Sequence, residues 1–274
     1  MNITGRTKIT GLFGWPVEHT LSPAMHNAAF QHLGLAYCYL PFLVHPDNLG
    51  KAVDSIKALN LAGVNVTVPH KERVIPFLDF VNEEASFIGA VNTIVHREGR
   101  LTGYNTDGRG FMRSLEENHI DPGGKKILVV GSGGASRAIS YYLSEKADSL
   151  SIYDIDREKL EKLAADLSSI RANVTALEKL ADPADFEVVI NATPLGLKKD
   201  DPLPFDDSGF TPAHIVCDLI YKNTRLLESA SRKGCRTVDG LGMLLWQGVL
   251  AFELWTEVFP PVDVMKSALI REMR

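Results

Sequence analysis

Two segments in the first half of the chain place a side chain capable of proton transfer just beyond a predicted strand. Lys71 ends the run Asn65-Val66-Thr67-Val68-Pro69-His70-Lys71, and Asp107 lies in Tyr104-Asn105-Thr106-Asp107-Gly108. Ligands of α/β sheets bind beyond such strand ends. Partial desolvation lowers the pKa of a lysine, whereas a neighbouring carboxylate orients the lysine and raises that pKa. We therefore predict a proton-transfer pair facing a cleft; the alternative is a structural ion pair.

A glycine-rich junction near the middle of the chain predicts a dinucleotide site. The apolar run Ile127 to Val130 is followed by Gly131, Ser132, Gly133, Gly134 and Ala135. Glycines let the backbone approach a pyrophosphate closely, and the free N–H groups at a helix start attract its charge. The alternative is a strand-helix turn that binds no ligand.

Asp154 follows the next predicted strand, about twenty residues beyond the glycines, where a carboxylate accepts hydrogen bonds from the adenosine ribose hydroxyls. An acidic residue there repels a 2′-phosphate. The alternative is that Asp154 only caps the helix that begins near Asp156. Hydride transfer from a dinucleotide to a ketone builds negative charge on oxygen, and a donor such as Lys71 would neutralise it.

The elements that must position these residues alternate along the chain. In the first half, the apolar patterns predict strands at 8–13, 37–44, 61–68, 92–95 and 101–104, and helices at 22–34 and 46–59. Ser22 is the expected N-cap of the first helix because Pro23 follows it. Glu98-Gly99 is a predicted hairpin turn, and Asp107 is expected to cap a helix in the connection 107–124 between two domains.

Beyond the glycine-rich junction the alternation is regular. Strands are predicted at 149–153, 187–191 and 215–220, with a helix at 157–167. Such alternation favours a parallel, doubly wound sheet. A long helix at 241–258 and a final amphipathic helix are expected to return to the first domain.

Composition restricts the class of protein. The 274 residues are 45% hydrophobic and 23% charged, with a net charge of −5. These values are typical of a globular protein of about two domains, without general attraction for nucleic acid or anionic membranes. No apolar run is long enough to span a bilayer and no signal peptide is evident, so we expect a cytoplasmic protein. Cys38, Cys217 and Cys235 lack metal-ligand spacing, so free thiols and no metal site are expected.

Seven segments, in this order, resemble the shikimate dehydrogenase family over nearly the whole chain. They are Thr20 to Pro23 with His26-Asn27, Asn65 to Lys71, Ala90 to Thr93, Tyr104 to Gly108, Gly131 to Arg137, Asn191 to Gly196, and Asp239 to Gln247. The resemblance implies reduction of 3-dehydroshikimate to shikimate with a nicotinamide cofactor, on the route through chorismate to aromatic amino acids. It also implies a small-molecule substrate, no nucleic-acid or membrane partner, and a monomer or homodimer.

The resemblance also implies a role for each matching residue. Lys71 would be the general acid/base and Asp107 its partner, whereas His70 is expected to line the pocket or lie at the surface. The implied substrate-binding residues are Thr20, Ser22, Thr67, Asn92, Tyr221 and Gln247. The implied cofactor-binding residues are Gly131, Ser132, Gly133, Gly134, Ala135, Asp154, Asn191, Ala192, Thr193, Pro194, Leu219, Gly242 and Met243.

Three departures from the family pattern bear on specificity. Thr20 replaces a common serine, and the segment Tyr221 to Thr224 is shorter than the frequent Tyr-Asn-Pro form. Asp154-Ile155-Asp156 stands where NADP-using members often carry Asn-Arg-Thr, and Arg157 is displaced by two positions. NADP is the family's usual cofactor, but these carboxylates favour NAD. Alternatives are an NAD-dependent quinate or bifunctional quinate/shikimate dehydrogenase and, more remotely, a catalytically silent NAD-binding sensor.

The predicted fold is α/β with two domains separated by a cleft. Residues 1–107 and 240–274 would form a discontinuous α/β substrate-binding domain. Residues 108–239 would form a Rossmann-type, doubly wound, parallel dinucleotide-binding domain.

Overall fold

The computed structural model describes residues 3–273. Contacts between Cα atoms divide the chain into two compact units, the first comprising Met1–Thr106 with Leu245–Arg274 and the second Asp107–Leu244. These boundaries lie one residue before and five residues after the positions expected from the sequence. Both units are α/β.

The first unit is built on a mixed sheet. Its strands are β1 (Lys8–Gly14), β2 (Tyr37–Leu43), β3 (Gly63–Val66), β4 (Phe80–Val81), β5 (Thr93–Arg97) and β6 (Arg100–Tyr104), and its helices are α1 (Ser22–His32), α2 (Leu49–Ala58) and α3 (Glu83–Ile88). The strand order is β2-β1-β3-β5-β6-β4. β1 pairs in parallel with β2 and β3, whereas β5 is antiparallel to β3 and β6. The hairpin turn falls at Glu98-Gly99 as predicted, and both residues have positive φ.

Apolar residues from the strands and α2 form the core of this unit. Phe13, Val53, Val64, Ile94 and Leu101 are all buried in one cluster. β3 is buried at every position, as expected for a central strand. The polar residues that follow its end are therefore attached to a closely packed element.

The second unit contains a parallel sheet. It consists of α4 (Asp107–Glu117), β7 (Lys126–Val130), α5 (Gly134–Lys146), β8 (Ser149–Tyr153), α6 (Arg157–Ser168), β9 (Val174–Ala176), β10 (Val188–Asn191), β11 (Ile215–Asp218), α7 (Arg225–Arg232) and β12 (Arg236–Val238). The order is β12-β11-β10-β7-β8-β9, and all pairs are parallel. The strand order reverses between β7 and β10, which is where doubly wound sheets bind ligands.

Two further helices complete the chain: α8 (Leu241–Thr256), which begins in the second unit and ends in the first, and α9 (Val262–Glu272). Within the first unit, the indole N–H of Trp255 on α8 donates to the Ile94 carbonyl at 3.0 Å. Gly63 leaves room for this indole, because a Cβ there would lie 2.5 Å from its nitrogen. The C-terminal part of α8 is thereby attached to the first unit's sheet.

Two details of the helix starts differ from the sequence expectation. The N-cap of α1 is Leu21, and Ser22 is the first helical residue. Asp107 is likewise the first residue of α4, and α4 belongs to the second unit instead of forming a connection between units. The strands β4, β9 and β12 and the helices α3 and α7 were not predicted; each is short, with at most eight residues.

Candidate active site

The turn after β3 holds Thr67 and Lys71 at the end of that strand. The Thr67 N–H donates to the Phe13 carbonyl at 2.9 Å, and the Lys71 carbonyl accepts the Val91 N–H at 2.8 Å. His70 is fully buried, and its Nε2 hydrogen-bonds the Val44 carbonyl at 2.8 Å. Burial lowers the pKa of His70, so this residue anchors the turn in its neutral form. The backbone of Lys71 is thus fixed beside the residue that precedes Asn92.

Asn92, which immediately precedes β5, is held by the loop after β6. Its Oδ1 accepts the Thr106 N–H at 2.9 Å, and its Nδ2 donates to Thr106 Oγ1, also at 2.9 Å. The Thr106 hydroxyl donates to the Gln247 carbonyl on α8 at 3.0 Å. The structure therefore brings together Asn92 and the backbone of Gln247, two of the expected substrate-binding residues.

Thr20 and Ser22 lie together at the start of α1. The Ser22 N–H donates to Thr20 Oγ1 at 3.3 Å. Ser22 is buried. The Thr20 hydroxyl is thus held against the backbone of Ser22 at the start of α1.

Asp107 follows Thr106 directly in the chain but belongs to the second unit. It is buried, with 4% of its surface exposed, in the first turn of α4. Next to it, Gly108 has no room for a side chain, because a Cβ would lie 2.3 Å from the Ala138 carbonyl oxygen on α5. The pairing of Asp107 with Lys71 stays a prediction.

The glycine-rich turn follows β7 and leads into α5. Gly131 has φ +116°, and a Cβ there would lie 2.8 Å from the Ala192 backbone. Gly133 is the N-cap of α5, and the space beside it is open, because a Cβ there would meet no atom within 4 Å beyond its chain neighbours. The first N–H groups of a helix have no intrahelical acceptor. Gly134 and Ala135 therefore offer backbone donors to an anion.

Asp154 hydrogen-bonds this turn and does not cap α6. Its Oδ2 accepts the Ser132 N–H at 2.6 Å and the Ser132 hydroxyl at 2.7 Å, and its Oδ1 accepts the Asp156 N–H at 2.9 Å. The N-cap of α6 is Asp156, whose side chain accepts from Lys159 N–H. The carboxylate of Asp154 is thereby fixed between the glycine-rich turn and the end of β8.

The loop after β10 is organised by Asn191, which is fully buried. Its Nδ2 donates to the Leu195 carbonyl at 3.0 Å and to Asp218 Oδ1 at 3.1 Å. Its Oδ1 accepts the N–H of Thr193 at 3.0 Å and the Thr193 hydroxyl at 2.7 Å. Ala192 contacts Gly131, as described above, so this loop and the glycine-rich turn lie together at the point where the strand order reverses.

The remaining expected residues follow β11 or begin α8. The Leu219 N–H donates to the Asn191 carbonyl at 3.0 Å. Tyr221 is exposed, with 36% of its surface accessible, whereas Met243 is buried. A Cβ at Gly242 would lie 2.1 Å from Ser114 Oγ, so α8 begins in close contact with α4.

Sequence reasoning missed the polar residues behind these groups. Thr93 and Thr106 donate to the side chain of Asn92. Asn65 donates to Thr93, and Tyr39 donates to Asn65. Asp218 accepts from Asn191. Burial raises the pKa of Asp218, although Thr224 donates to its Oδ2 at 2.7 Å. A polar residue at the end of an apolar strand, as in Ile215-Val216-Cys217-Asp218, was the available signal for Asp218.

Cys38, Cys217 and Cys235 are buried free thiols. Burial raises the pKa of Cys217 to about 12. Across residues 3–273, no group of three or more His, Cys, Asp or Glu side chains is placed to hold a metal ion. Within the same residues, no helix combines the length and the apolar character needed to cross a membrane.

Comparisons with known protein families match both ends of the chain. Residues 12–94 match the shikimate dehydrogenase substrate-binding domain. Residues 240–270 match the shikimate 5′-dehydrogenase C-terminal domain.

Curated relatives are similar over their full length. The shikimate dehydrogenase (NADP(+)) of Desulforamulus reducens is 50% identical, over 99% of this chain and 97% of the relative. That of Carboxydothermus hydrogenoformans is 47% identical, over 98% of this chain and 99% of the relative.

Solved structures show the same fold. A shikimate dehydrogenase in complex with NADP⁺ has a TM-score of 0.94 at 39% identity, covering 100% of this chain and 98% of its own. The Listeria monocytogenes shikimate 5-dehydrogenase in complex with shikimate and NAD has a TM-score of 0.90 at 39% identity, covering 97% and 98%. A quinate dehydrogenase from Corynebacterium glutamicum in complex with NAD has a TM-score of 0.89 at 34% identity, covering 97% and 99%.

Proposed function

This chain belongs to the shikimate dehydrogenase family, and we propose that it catalyses the reversible, nicotinamide-dependent reduction of 3-dehydroshikimate to shikimate. The observation that carries the proposal is the set of fixed polar groups at the ends of β3 and β5. There Asn92 is held by three hydrogen bonds to Thr106 and Thr93, beside the turn that carries Lys71. A ligand with several hydroxyl groups needs such a preorganised polar surface.

We propose Lys71 as the general acid/base and Asp107 as its partner. When bound, the dinucleotide supplies or accepts the hydride at the ring carbon. Lys71 donates a proton from Nζ to the oxygen on which negative charge develops, and takes it back in the reverse direction. The tight turn that His70 anchors keeps the lysine backbone in place during this step, so little reorganisation is needed. The role assigned to Asp107 is to orient the ammonium group of Lys71.

The substrate carboxylate is assigned to Thr20 and Ser22, with Tyr221 completing this end. Hydroxyl groups donate to a carboxylate without adding charge, and the Ser22 N–H already holds the Thr20 hydroxyl at 3.3 Å. Thr67, Asn92 and Gln247 are assigned to the ring oxygens. An analogue that lacks one of those oxygens leaves a buried polar group unpaired, which penalises its binding.

The second unit fits a nicotinamide dinucleotide. Gly131, Ser132, Gly133, Gly134 and Ala135 would hold the pyrophosphate, because a side chain at Gly131 is excluded by Ala192 and the space at Gly133 is open. Asp154 would receive the adenosine ribose hydroxyls. The residues assigned to the nicotinamide end are Asn191, Ala192, Thr193, Pro194, Leu219, Gly242 and Met243.

We further propose that NAD is preferred over NADP. Asp154 is fixed at the end of β8, and Asp156 follows it with Lys159 as its ion-pair partner at 2.9 Å. A 2′-phosphate would meet the negative charge of Asp154 without a facing arginine. Arg157 does not supply one, because its guanidinium hydrogen-bonds the carbonyls of Leu177 and Glu178. The relatives named for NADP(+) argue against this preference, and the Listeria structure with NAD argues for it.

A quinate or bifunctional quinate/shikimate dehydrogenase is the second candidate. The carboxylates near the expected ribose site and the similarity to a quinate dehydrogenase in complex with NAD favour it. Quinate carries an additional hydroxyl at the carboxylate-bearing carbon, so the volume around Thr20 and Ser22 decides whether it fits.

One set of steady-state assays tests these proposals. Purified protein is given shikimate or quinate, each with NAD or NADP, and nicotinamide absorbance is followed. Turnover of shikimate but not quinate supports the main proposal, and a higher kcat/KM with NAD supports the role of Asp154. Comparable efficiency with NADP would refute the NAD preference. Substantial quinate turnover would favour the second candidate, and the absence of turnover in every combination would leave the silent sensor as the better account.

A further inference from the structure

Behind Asn92 lies a row of three buried polar side chains from three strands. Tyr39 on β2, Asn65 on β3 and Thr93 on β5 are 1%, 4% and 0% exposed. Asn65 and Thr93 are register partners across the antiparallel β3–β5 pair. Buried polar groups are costly unless each is hydrogen-bonded, so the partners of these three define their orientation.

In each hydrogen bond of this row, only one assignment of donor and acceptor is possible. Asn65 Nδ2 donates to the Asn92 carbonyl at 3.1 Å and to Thr93 Oγ1 at 3.0 Å. If the Asn65 amide were rotated by 180°, Oδ1 would lie against the Asn92 carbonyl oxygen, where two acceptors would meet. Oδ1 of Asn65 therefore faces the Tyr39 hydroxyl, which donates to Oδ1 at 2.9 Å. Tyr39 is itself held by the ring of His26, stacked at 4.4 Å with an 11° angle between the ring planes.

The donor and acceptor roles of Asn65 and Thr93 also determine those of the Asn92 amide. Thr93 Oγ1, which accepts from Asn65, uses its own hydrogen to donate to Asn92 Oδ1 at 3.0 Å. The Thr106 N–H donates to the same oxygen, and Asn92 Nδ2 donates to Thr106 Oγ1. Because its oxygen accepts from two donors and its Nδ2 donates to Thr106, the amide of Asn92 is held in one orientation.

We propose that Thr93 is a positioning residue that, supported by Asn65 and Tyr39, holds the amide of Asn92 in the orientation in which it meets the substrate. This inference rests on the proposed function and deepens it. Thr93 touches neither substrate nor cofactor in this account, since it acts through Asn92.

The test compares Thr93→Val, which keeps the shape and removes the hydroxyl, with Thr93→Ser, which keeps the hydroxyl. Steady-state kinetics with shikimate and with the dinucleotide are measured for both variants, and thermal unfolding is recorded as a control for folding. Loss of one net hydrogen bond corresponds to roughly a three- to tenfold effect. We expect kcat/KM for shikimate to fall by roughly that factor in Thr93→Val and by less than about twofold in Thr93→Ser, with the KM of the dinucleotide unchanged in both.

The substitution is repeated in an Asn92→Ala background. A residue that acts through Asn92 has no further effect once the amide is removed, so Thr93→Val should leave the kcat/KM of that variant unchanged. An equal loss in both backgrounds would overturn the inference, as would a Thr93→Val enzyme that differs from wild type only in its melting temperature.

Failure of the proposed function gives a different result. A wild-type protein that neither turns over shikimate nor binds it in calorimetry would overturn both the function and the role of Thr93. A wild-type enzyme that turns over shikimate, together with a Thr93→Val variant of equal kcat/KM, would overturn the role of Thr93 alone.

Discussion

A histidine buried without a hydrogen-bond partner makes the first unit sensitive to acid. His26 on α1 is fully buried, and neither of its ring nitrogens has a partner. Its ring is stacked on Tyr39 and lies parallel to Phe252 at 6.3 Å. Because this apolar site cannot solvate an imidazolium, burial lowers the pKa of His26 from 6.5 to about 3.

The sign and size of the effect follow from proton linkage. The unfolded chain binds a proton on His26 near pH 6.5, whereas the folded chain does so only near pH 3. The free energy of unfolding is therefore fully retained above pH 6.5 and falls as the pH drops from 6.5 toward 3. At pH 5 the unfolded state gains about 2 kcal/mol from this one group.

The assay is urea unfolding of wild type and His26→Phe at pH 7.5 and pH 5. Tryptophan fluorescence is the appropriate signal, because Trp15, Trp246 and Trp255 all belong to the first unit, as His26 does. Phenylalanine keeps an aromatic ring in the stack and cannot be protonated. Between the two pH values, we expect wild type to lose about 2 kcal/mol more unfolding free energy than His26→Phe.

His32, exposed in the last turn of the same helix, provides the matched control through His32→Gln. This control shows whether removing any histidine from α1 changes the response to acid. If His26→Phe and wild type lose the same unfolding free energy between pH 7.5 and pH 5, the reasoning is refuted.

Three further predictions concern the proposed site and its supports. Lys71→Ala should lower kcat by at least about 100-fold, which is the usual contribution of a positioned acid/base. Dinucleotide affinity, measured by fluorescence titration, should stay near that of wild type. A fall in kcat of less than about tenfold would contradict the mechanism. Gly131→Ala should weaken dinucleotide binding and lower the melting temperature, since the residue has φ +116° and its Cβ would lie 2.8 Å from Ala192; unchanged affinity would show that the turn is not the cofactor cradle. Thr224→Val removes both the N-cap of α7 and the donor to buried Asp218, so urea unfolding should show a loss of about 1–3 kcal/mol, whereas Thr224→Ser should retain most of the stability.

The main elements could be predicted from local pattern. The central strands and long helices carry clear periodicities, and the glycine-rich junction identifies the start of a doubly wound unit. Several bounds differ, as in β3, where the expected 61–68 is shortened to Gly63–Val66. The apolar pattern shows which residues are extended and does not show where regular pairing with the neighbouring strands stops.

The expectation for Ser22 shows why local rules fail at a site. Serine before proline is a typical N-cap, yet Leu21 is the N-cap, Ser22 is the first residue of α1, and no side-chain hydrogen bond caps this helix start. The Ser22 N–H donates to Thr20 Oγ1, a contact with the preceding segment that the serine-proline rule does not contain.

The sequence by itself determined the α/β class, the order of the strong elements and the residues whose types suit proton transfer and dinucleotide binding. These follow from periodicity and from chemistry that each segment carries alone. The tertiary structure decided which polar groups meet, as in the row from Tyr39 through Asn65 and Thr93 to Asn92. Such contacts join residues distant in the chain, and the cost of leaving a buried polar group unpaired operates only after the strands have been brought together.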